Sequence, residues 1–419
     1  MTTARMLLPL GLIALAAAFA ALLAYGTHPH LIEYPGGLTI IMFSRRLQWL
    51  MVALSLIASL TLIVTVISGK RRAWWLIGLA PVLALFAHRF STGDVARHAI
   101  ADEPQFVSAD EARLGDDDYV VALNFSDQTY AYPYSALYWT PLVVQTDRDH
   151  RLLLSWSAFA DSALATTVSR DIKGRELDIV CEPANALLIY NSRIGQFING
   201  LTGRTPGGAK PLGFSERVAV WKGPWKTWRQ GHPGTRVMVS QGKPGGPGAP
   251  VLPREPFAAT TGIKSDASVV LLATTRPVAL LASEIGNQPQ NVRAADIPLL
   301  VFRDAKSGDV RAFDRRLEAD LIPRFVLNQD PKRKGVFRDL DTNTCWSAGG
   351  AAVDGEKERL GHKLTPIDVQ DQTYWGVAKY WWPDLQLVKG EVESAPASAS
   401  IPGPSRSMPA HAVRNRHRR

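Results

Sequence analysis

The feature that most constrains this chain is a near-constant internal offset. DYVVAL (Asp118–Leu123) recurs as ASVVLL (Ala267–Leu272) at an offset of 149, and RLLLSW (Arg151–Trp156) resembles PLLVFR (Pro298–Arg303) at 147. LLIYNSRIGQFINGLTG (Leu187–Gly203) corresponds to GVFRDLDTNTCWSAGG (Gly335–Gly350) at 148. Trp225 and Pro233 recur as Trp375 and Pro383, both at 150. Matches in unbroken order at one spacing indicate a duplicated unit, so the second copy must accept whatever fold the first one takes. Within each copy, short Val/Leu/Ile/Tyr runs alternate with turn signals such as SDQ (Ser126–Gln128) and IKGR (Ile172–Arg175), the pattern of a strand-rich unit. PWKTWRQ (Pro224–Gln230) and YWGVAKYWW (Tyr374–Trp382) predict a short aromatic helix before the last strand of each copy. Gly195 and its counterpart Asn343 predict a left-handed turn residue at the same place in both, because these two residue types tolerate that backbone best.

Two β-rich α+β units are therefore expected, over 105–240 and 257–390. The linker between them, 241–256 (QGKPGGPGAPVLPREP), is too rich in Gly and Pro to continue a strand or a helix. Residues 391–419 hold too few apolar side chains to fold and read as a disordered basic tail. Ahead of the units, 91–104 reads as a linker and 1–90 as a membrane domain of three transmembrane helices. Their apolar runs are Met6–Tyr25, Leu47–Ser68 and Ala73–Ala87. About twenty helical residues at roughly 1.5 Å each match one hydrocarbon thickness of about 30 Å. A cleaved signal peptide is the alternative for the first run.

Lys70, Arg71 and Arg72 form the densest basic cluster and, with Arg5, mark the cytoplasmic side, which leaves both units outside. Arg45 and Arg46 argue for the opposite orientation, which stays open. The expectation is a multi-pass inner-membrane protein with an extracytoplasmic soluble region and the lipid bilayer as a partner. The net charge of +9 does not point to nucleic acid. Its basic surplus lies in 1–90 and in the arginines after residue 394, and the two units between are slightly acidic. They lack the basic stripe that phosphate contacts require. Only two cysteines are present, too few for a disulfide framework or a zinc ribbon. Cys345 aligns with Phe197 and Cys181 has no equivalent role, so two separate buried thiols are expected.

The chain resembles the prokaryotic family called domain of unknown function 3179. The residues that carry the resemblance are VSADEARLGDDDYVVALNFSDQTYAYPYSALYW (Val107–Trp139), ALLIYN with the following GLTG, and WKTWRQGHPGTRVMVS (Trp225–Ser240). RAFDRR (Arg311–Arg316) and VFRDLDTNTCW (Val336–Trp346) extend it into the second unit. The family pattern has a Trp-His pair after a Tyr-Pro, then Cys-Pro-x-Cys followed by Gly-Thr. Here Tyr132-Pro133 matches, but Thr140 follows Trp139, and SWSAFADSA (Ser155–Ala163) puts Ser157 and Ala160 in the two Cys positions. Thiolate redox and soft-metal chemistry need sulfur, so the thiol or metal role that the resemblance implies lacks its ligands here.

Other constellations are weaker. His28, His30, His88 and His98 have no metal-ligand spacing and read as polar residues beside the apolar runs. Ser155 and Ser157 lack a Gly-x-Ser-x-Gly elbow, and the loops GRTPGG (Gly203–Gly208) and GKPGGPG (Gly242–Gly248) lack the Gly-Lys-Ser/Thr of a phosphate cradle. No metal and no cofactor is expected. Trp139 and Trp156 have no clear counterparts in the second unit, so a candidate pocket is assigned to Tyr132, Trp139, Trp156 and Asp161. Loss of the motif cysteines from an otherwise retained unit predicts a non-catalytic binding or scaffold protein, with a protein of the cell envelope as its partner. The alternative is an enzyme, or a redox or metal accessory factor, using Tyr132, Trp139 and Asp161 of the first unit.

Overall fold

Ser126 and Asp127 both take positive φ (50° and 66°), the two-residue turn whose twist suits a tight hairpin. It joins β3 (Tyr119–Phe125) to β4 (Gln128–Pro133), after two short strands β1 (Ile100–Asp102) and β2 (Phe106–Ser108). The computed structural model describes residues 25–68, 99–240, 245–254, 262–274, 276–294, 297–318 and 321–390, with scattered positions between 11 and 22. In the N-terminal region these include helices α1 (Gly37–Arg46) and α2 (Gln48–Ser68). The first unit continues from β4 through α3 (Tyr134–Leu137), β5 (Leu142–Asp147), β6 (His150–Ser157) and β7 (Ser162–Val168). Then come β8 (Leu177–Cys181), β9 (Leu188–Asn191), β10 (Gln196–Asn199), β11 (Phe214–Val218), β12 (Val220–Pro224), α4 (Trp225–Gly231) and β13 (Arg236–Met238).

The second unit opens with β14 (Ser268–Leu272), β15 (Val278–Leu281), β16 (Gln290–Ala294), β17 (Ile297–Arg303) and β18 (Val310–Asp314). It goes on with β19 (Phe325–Leu327), β20 (Phe337–Asp339), β21 (Cys345–Trp346), β22 (Ala352–Asp354) and β23 (Thr365–Ile367). It closes with β24 (Val369–Tyr374), α5 (Trp375–Trp381) and β25 (Gln386–Leu387). Every sheet draws its strands from one half of the chain, and the strand orders correspond. The order β12-β3-β4-β13-β2 is answered by β24-β14-β15-β25, and β1-β5-β6-β7-β11 by β16-β17-β18-β23. The order β10-β9-β8 is answered by β19-β20-β21-β22.

Each unit is layered. Trp225 and Trp228 of α4 pack on the outer face of the first sheet through Val120, Ala122 and Ala131. The inner face of that sheet meets the second across Val121, Tyr132, Leu154 and Trp156. The far side of the second sheet meets β8–β10 through Leu142, Leu153, Ile179 and Ile189. Trp375 and Ala378 of α5 repeat the outermost contact in the second unit, on Val269, Leu271 and Ala279. Alternate residues of one strand thus serve two different cores, because side chains alternate faces along a strand. The hairpin turns also correspond: Gly195 has φ +64° and Asn343 φ +56°. A Cβ at Gly195 would meet nothing within 4 Å, so the backbone alone decides what it tolerates. Gly195→Asn is expected to change stability by no more than about 0.5 kcal/mol, whereas Gly195→Val should cost about 1–2 kcal/mol in equilibrium urea unfolding.

The N-terminal region requires a correction. Among the described residues no helix is long and apolar enough to cross a membrane. Three transmembrane helices, and the multi-pass inner-membrane address built on them, are therefore not supported. The run Ala73–Ala87 lies outside the described residues, as do much of Met6–Tyr25, most of the linker 91–104 and the tail 391–419. The stretch between the first two runs is folded onto the first unit. Leu31, Ile32, Leu38, Ile41 and Met42 cover Cys181, Leu188 and Phe197 on the outer face of β8–β10. Arg45 pairs with Asp178 and lies 5.1 Å from the centre of the Tyr190 ring, while Arg46 donates to the Gly195 carbonyl at 3.0 Å. These residues lie between the runs Met6–Tyr25 and Leu47–Ser68, and a protein face is their neighbour.

Candidate functional site

The motif position of the first unit lies where the two units meet. After β6 the chain makes one 3-10 turn, Ala158–Ala160, and leaves it through Asp161, whose φ is +42°. Glycine takes this backbone at least cost, and here an aspartate holds it. Its side chain is nearly buried, with 9% exposed, and two polar side chains are directed at it. Tyr134 donates its hydroxyl to Asp161 Oδ1 at 2.8 Å, and Lys222 Nζ stands 3.5 Å from Oδ2. Lys222, 1% exposed, also donates to the backbone carbonyl of Asp161 and to that of Gln372 at 2.8 Å. Two ammonium donors go to backbone carbonyls, and Asp161 Oδ2 stands beside the group as its counter-charge.

Gln372 belongs to the second unit. β24 carries a bulge between its partners Val269 and Leu271, and Gln372 takes φ +34° there. The bulge turns one carbonyl out of the ladder, toward the first unit. Lys222 lies two residues before Pro224 and Gln372 two before Tyr374, so equivalent positions of the two copies meet. Thr373 donates to the Ala160 carbonyl at 2.9 Å, and Gln370 reaches Ser162 Oγ at 3.2 Å and the Leu201 carbonyl at 2.9 Å. Ala160, with none of its surface exposed, packs with Ala186 and Leu201 against Tyr374 and Val377. Ser157, equally buried, accepts the Leu187 amide at 3.0 Å. Ser157 and Ala160 are both structural here: one holds a loop and the other is capped by the second unit.

The four assigned residues are only partly brought together. Trp156 and Asp161 are linked through Tyr134, whose ring centre is 4.6 Å from that of Trp156. Tyr132 turns its hydroxyl to Gln145 Oε1 at 2.7 Å inside the core. Trp139 is half-buried and sits edge-on to Tyr138 at 5.1 Å. Sequence reasoning missed Tyr134, Lys222, Gln370, Gln372 and Thr373. One signal was present: Lys222 is the only charge in VWKGP, a strand with apolar neighbours on both sides. The remaining partners come from the other copy, and no local pattern announces them.

Burial sets the protonation of the tyrosines around this region. It pushes Tyr132 well above the ordinary phenol range, helped by the neighbouring Tyr130. Burial, then the bond to Asp147, pushes Tyr130 up to about 12, and burial with the Asp161 and Asp266 charges raises Tyr374. A raised folded-state pKa contributes stability that is complete below the unfolded value near 10 and is lost as pH rises through the folded one. Stability is therefore expected to fall between about pH 10 and 12, with tyrosinate absorbance rising as the protein unfolds. Tm measured against pH checks this, and substantial ionisation of the buried tyrosines at pH 10 without unfolding would contradict it.

The remaining candidates are also placed. Cys181 and Cys345 are separate, buried thiols, and burial raises the Cys345 thiol. His28 and His30 stack at 5.0 Å and His30 reaches Glu33 at 3.2 Å, while His88 and His98 lie outside the described residues. Among the described residues no group of three His, Cys, Asp or Glu is placed to hold a metal ion. A family model described as "Protein of unknown function (DUF3179)" matches residues 99–385. No curated protein and no solved structure matches the chain.

Proposed function

From the premise that the chain belongs to the DUF3179 family of proteins of unknown function, we propose that its two-unit body is a non-catalytic binding or scaffold module. One observation carries this reading: the first unit's motif position is closed by the second unit. Asp161 does stand beside two other titratable groups, Tyr134 and Lys222, as an active site would require. Their polar atoms are engaged with one another and with backbone carbonyls, and the Lys222 side chain is 1% exposed. A general acid or base must come within hydrogen-bond reach of its substrate, and this pair offers no open side.

The pair can be tested without disrupting its packing. D161N/K222M removes both charges at similar volume. Complementation of a deletion strain by this variant is expected to match wild type at equal levels of folded protein. Loss of complementation by a variant that melts normally and accumulates normally would make the pair catalytic and reject the reading.

A further inference from the structure

The Gly/Pro-rich segment between the units is seated rather than spanning free space. Over 245–254 it forms neither helix nor strand, yet it is held at both ends and in the middle. The Gly246 amide donates to the Ser135 carbonyl at 2.8 Å, and the Tyr119 amide donates to the Gly248 carbonyl at 2.8 Å. Tyr374 of the second unit donates its hydroxyl to the Val251 carbonyl at 2.8 Å, and the Arg254 amide donates to Asn185 Oδ1 at 3.0 Å. The Arg254 guanidinium lies 3.8 Å from the centre of the Phe159 ring and 3.5 Å from Glu182 Oε2, a carboxylate only 5% exposed.

The segment lies on the surface as a peptide ligand does. Gly246, Gly248, Val251 and Pro253 are half-buried, while Gly245, Pro247, Ala249, Pro250 and Leu252 are exposed, Leu252 at 69%. One inward position, 246, admits only glycine, and a second, 248, is tight. A Cβ at Gly246 would fall 2.4 Å from the Tyr138 side chain, and one at Gly248 would fall 2.7 Å from Asp118 Oδ1. Main-chain hydrogen bonds, an aromatic wall and one buried carboxylate for a terminal cation are the elements by which grooves read extended Pro-rich peptides. The stacked guanidinium adds a contact that lysine would not reproduce.

We infer that the first unit carries a groove for an extended Gly/Pro-rich peptide with a trailing arginine, and that residues 245–254 occupy it in cis. The inference deepens the binding reading above and rests on it. A partner segment of the same chemistry gains access by displacing the linker, whose tethering gives it an effective concentration on the order of millimolar.

The probe is a fluorescently labelled peptide GGPGAPVLPR, residues 245–254. The target is the full chain with those residues replaced by a Gly/Ser run of equal length. Saturable anisotropy is expected, at least about tenfold weaker for the wild-type chain and at least about tenfold weaker for a peptide with alanine in place of its arginine. No saturable binding to a replacement chain that melts cooperatively overturns the inference, as does equal binding of a scrambled peptide. If the replacement chain does not fold, G246V serves as the target, because a Cβ there would fall 2.4 Å from Tyr138 Cβ and expels the segment by one residue change; the same outcomes decide. Failure here leaves the non-catalytic reading standing, since that depends on D161N/K222M. Failure of that variant would reject the non-catalytic reading even if the peptide bound.

Discussion

Replacing Lys222 by alanine is expected to destabilise the folded protein by about 3–5 kcal/mol, the cost of leaving a buried charge without its partner. Asp161 would keep only the Tyr134 hydroxyl, and the carbonyls of Asp161 and Gln372 would lose their shared donor. Asp161→Asn should cost less, about 1–2 kcal/mol, because the amide oxygen still accepts from Tyr134 and Lys222 keeps both carbonyls. With methionine at 222 in both members of a cycle, D161N/K222M should fall well short of the sum of the D161N and K222M losses, since a pair removed together leaves no orphaned charge. Urea unfolding of the four proteins measures the coupling directly. A Lys222→Ala protein within about 0.5 kcal/mol of wild type would mean that the ammonium is solvated and the junction open.

The second large effect concerns the two equivalent tryptophans. Trp225 and Trp375 open α4 and α5 and are 1% and 2% exposed. Trp225→Ala and Trp375→Ala should each cost about 3–5 kcal/mol through lost burial and the cavity left behind. Trp375→Phe should cost less than about 2 kcal/mol, because it keeps most of the ring and removes an indole N–H that is buried without a hydrogen-bond partner. Both alanine variants should still unfold in one transition. The bonds from Lys222, Gln370 and Thr373 cross the junction, so neither unit loosens alone. Two separated transitions in calorimetry would show that the units are coupled more weakly than these contacts require.

Several features were legible in the chain because they depend on local geometry. A hairpin turn selects residues that tolerate positive φ, and both Gly195 and Asn343 hold that conformation. Short Val/Leu/Ile/Tyr runs between turn signals form strands, and the aromatic runs after Pro224 and at Tyr374 form the helices α4 and α5. The offset near 150 is matched by the correspondence of strand orders between the two halves. The resemblance, resting on contiguous motifs, is met by the family match over 99–385.

What only the tertiary structure decided depends on contacts between residues far apart in sequence. Leu38, Ile41 and Met42 have the composition of a membrane-flanking segment, and hydropathy assigns no neighbour to them. Their neighbour is the β8–β10 sheet, more than a hundred residues away. Asp161 is assigned by sequence to a candidate pocket with Tyr132, Trp139 and Trp156. Its partners are Lys222, 61 residues on, and through Lys222 the Gln372 carbonyl, 150 residues further. Likewise 241–256 reads as a spacer because Gly and Pro forbid helix and ladder, yet the same residues let the chain lie against Tyr138 and Asp118. Propensity and pattern are properties of one stretch of chain. Whether a charge is solvated, paired or sealed depends on what the fold brings against it, and at this junction that is the second copy of the same unit.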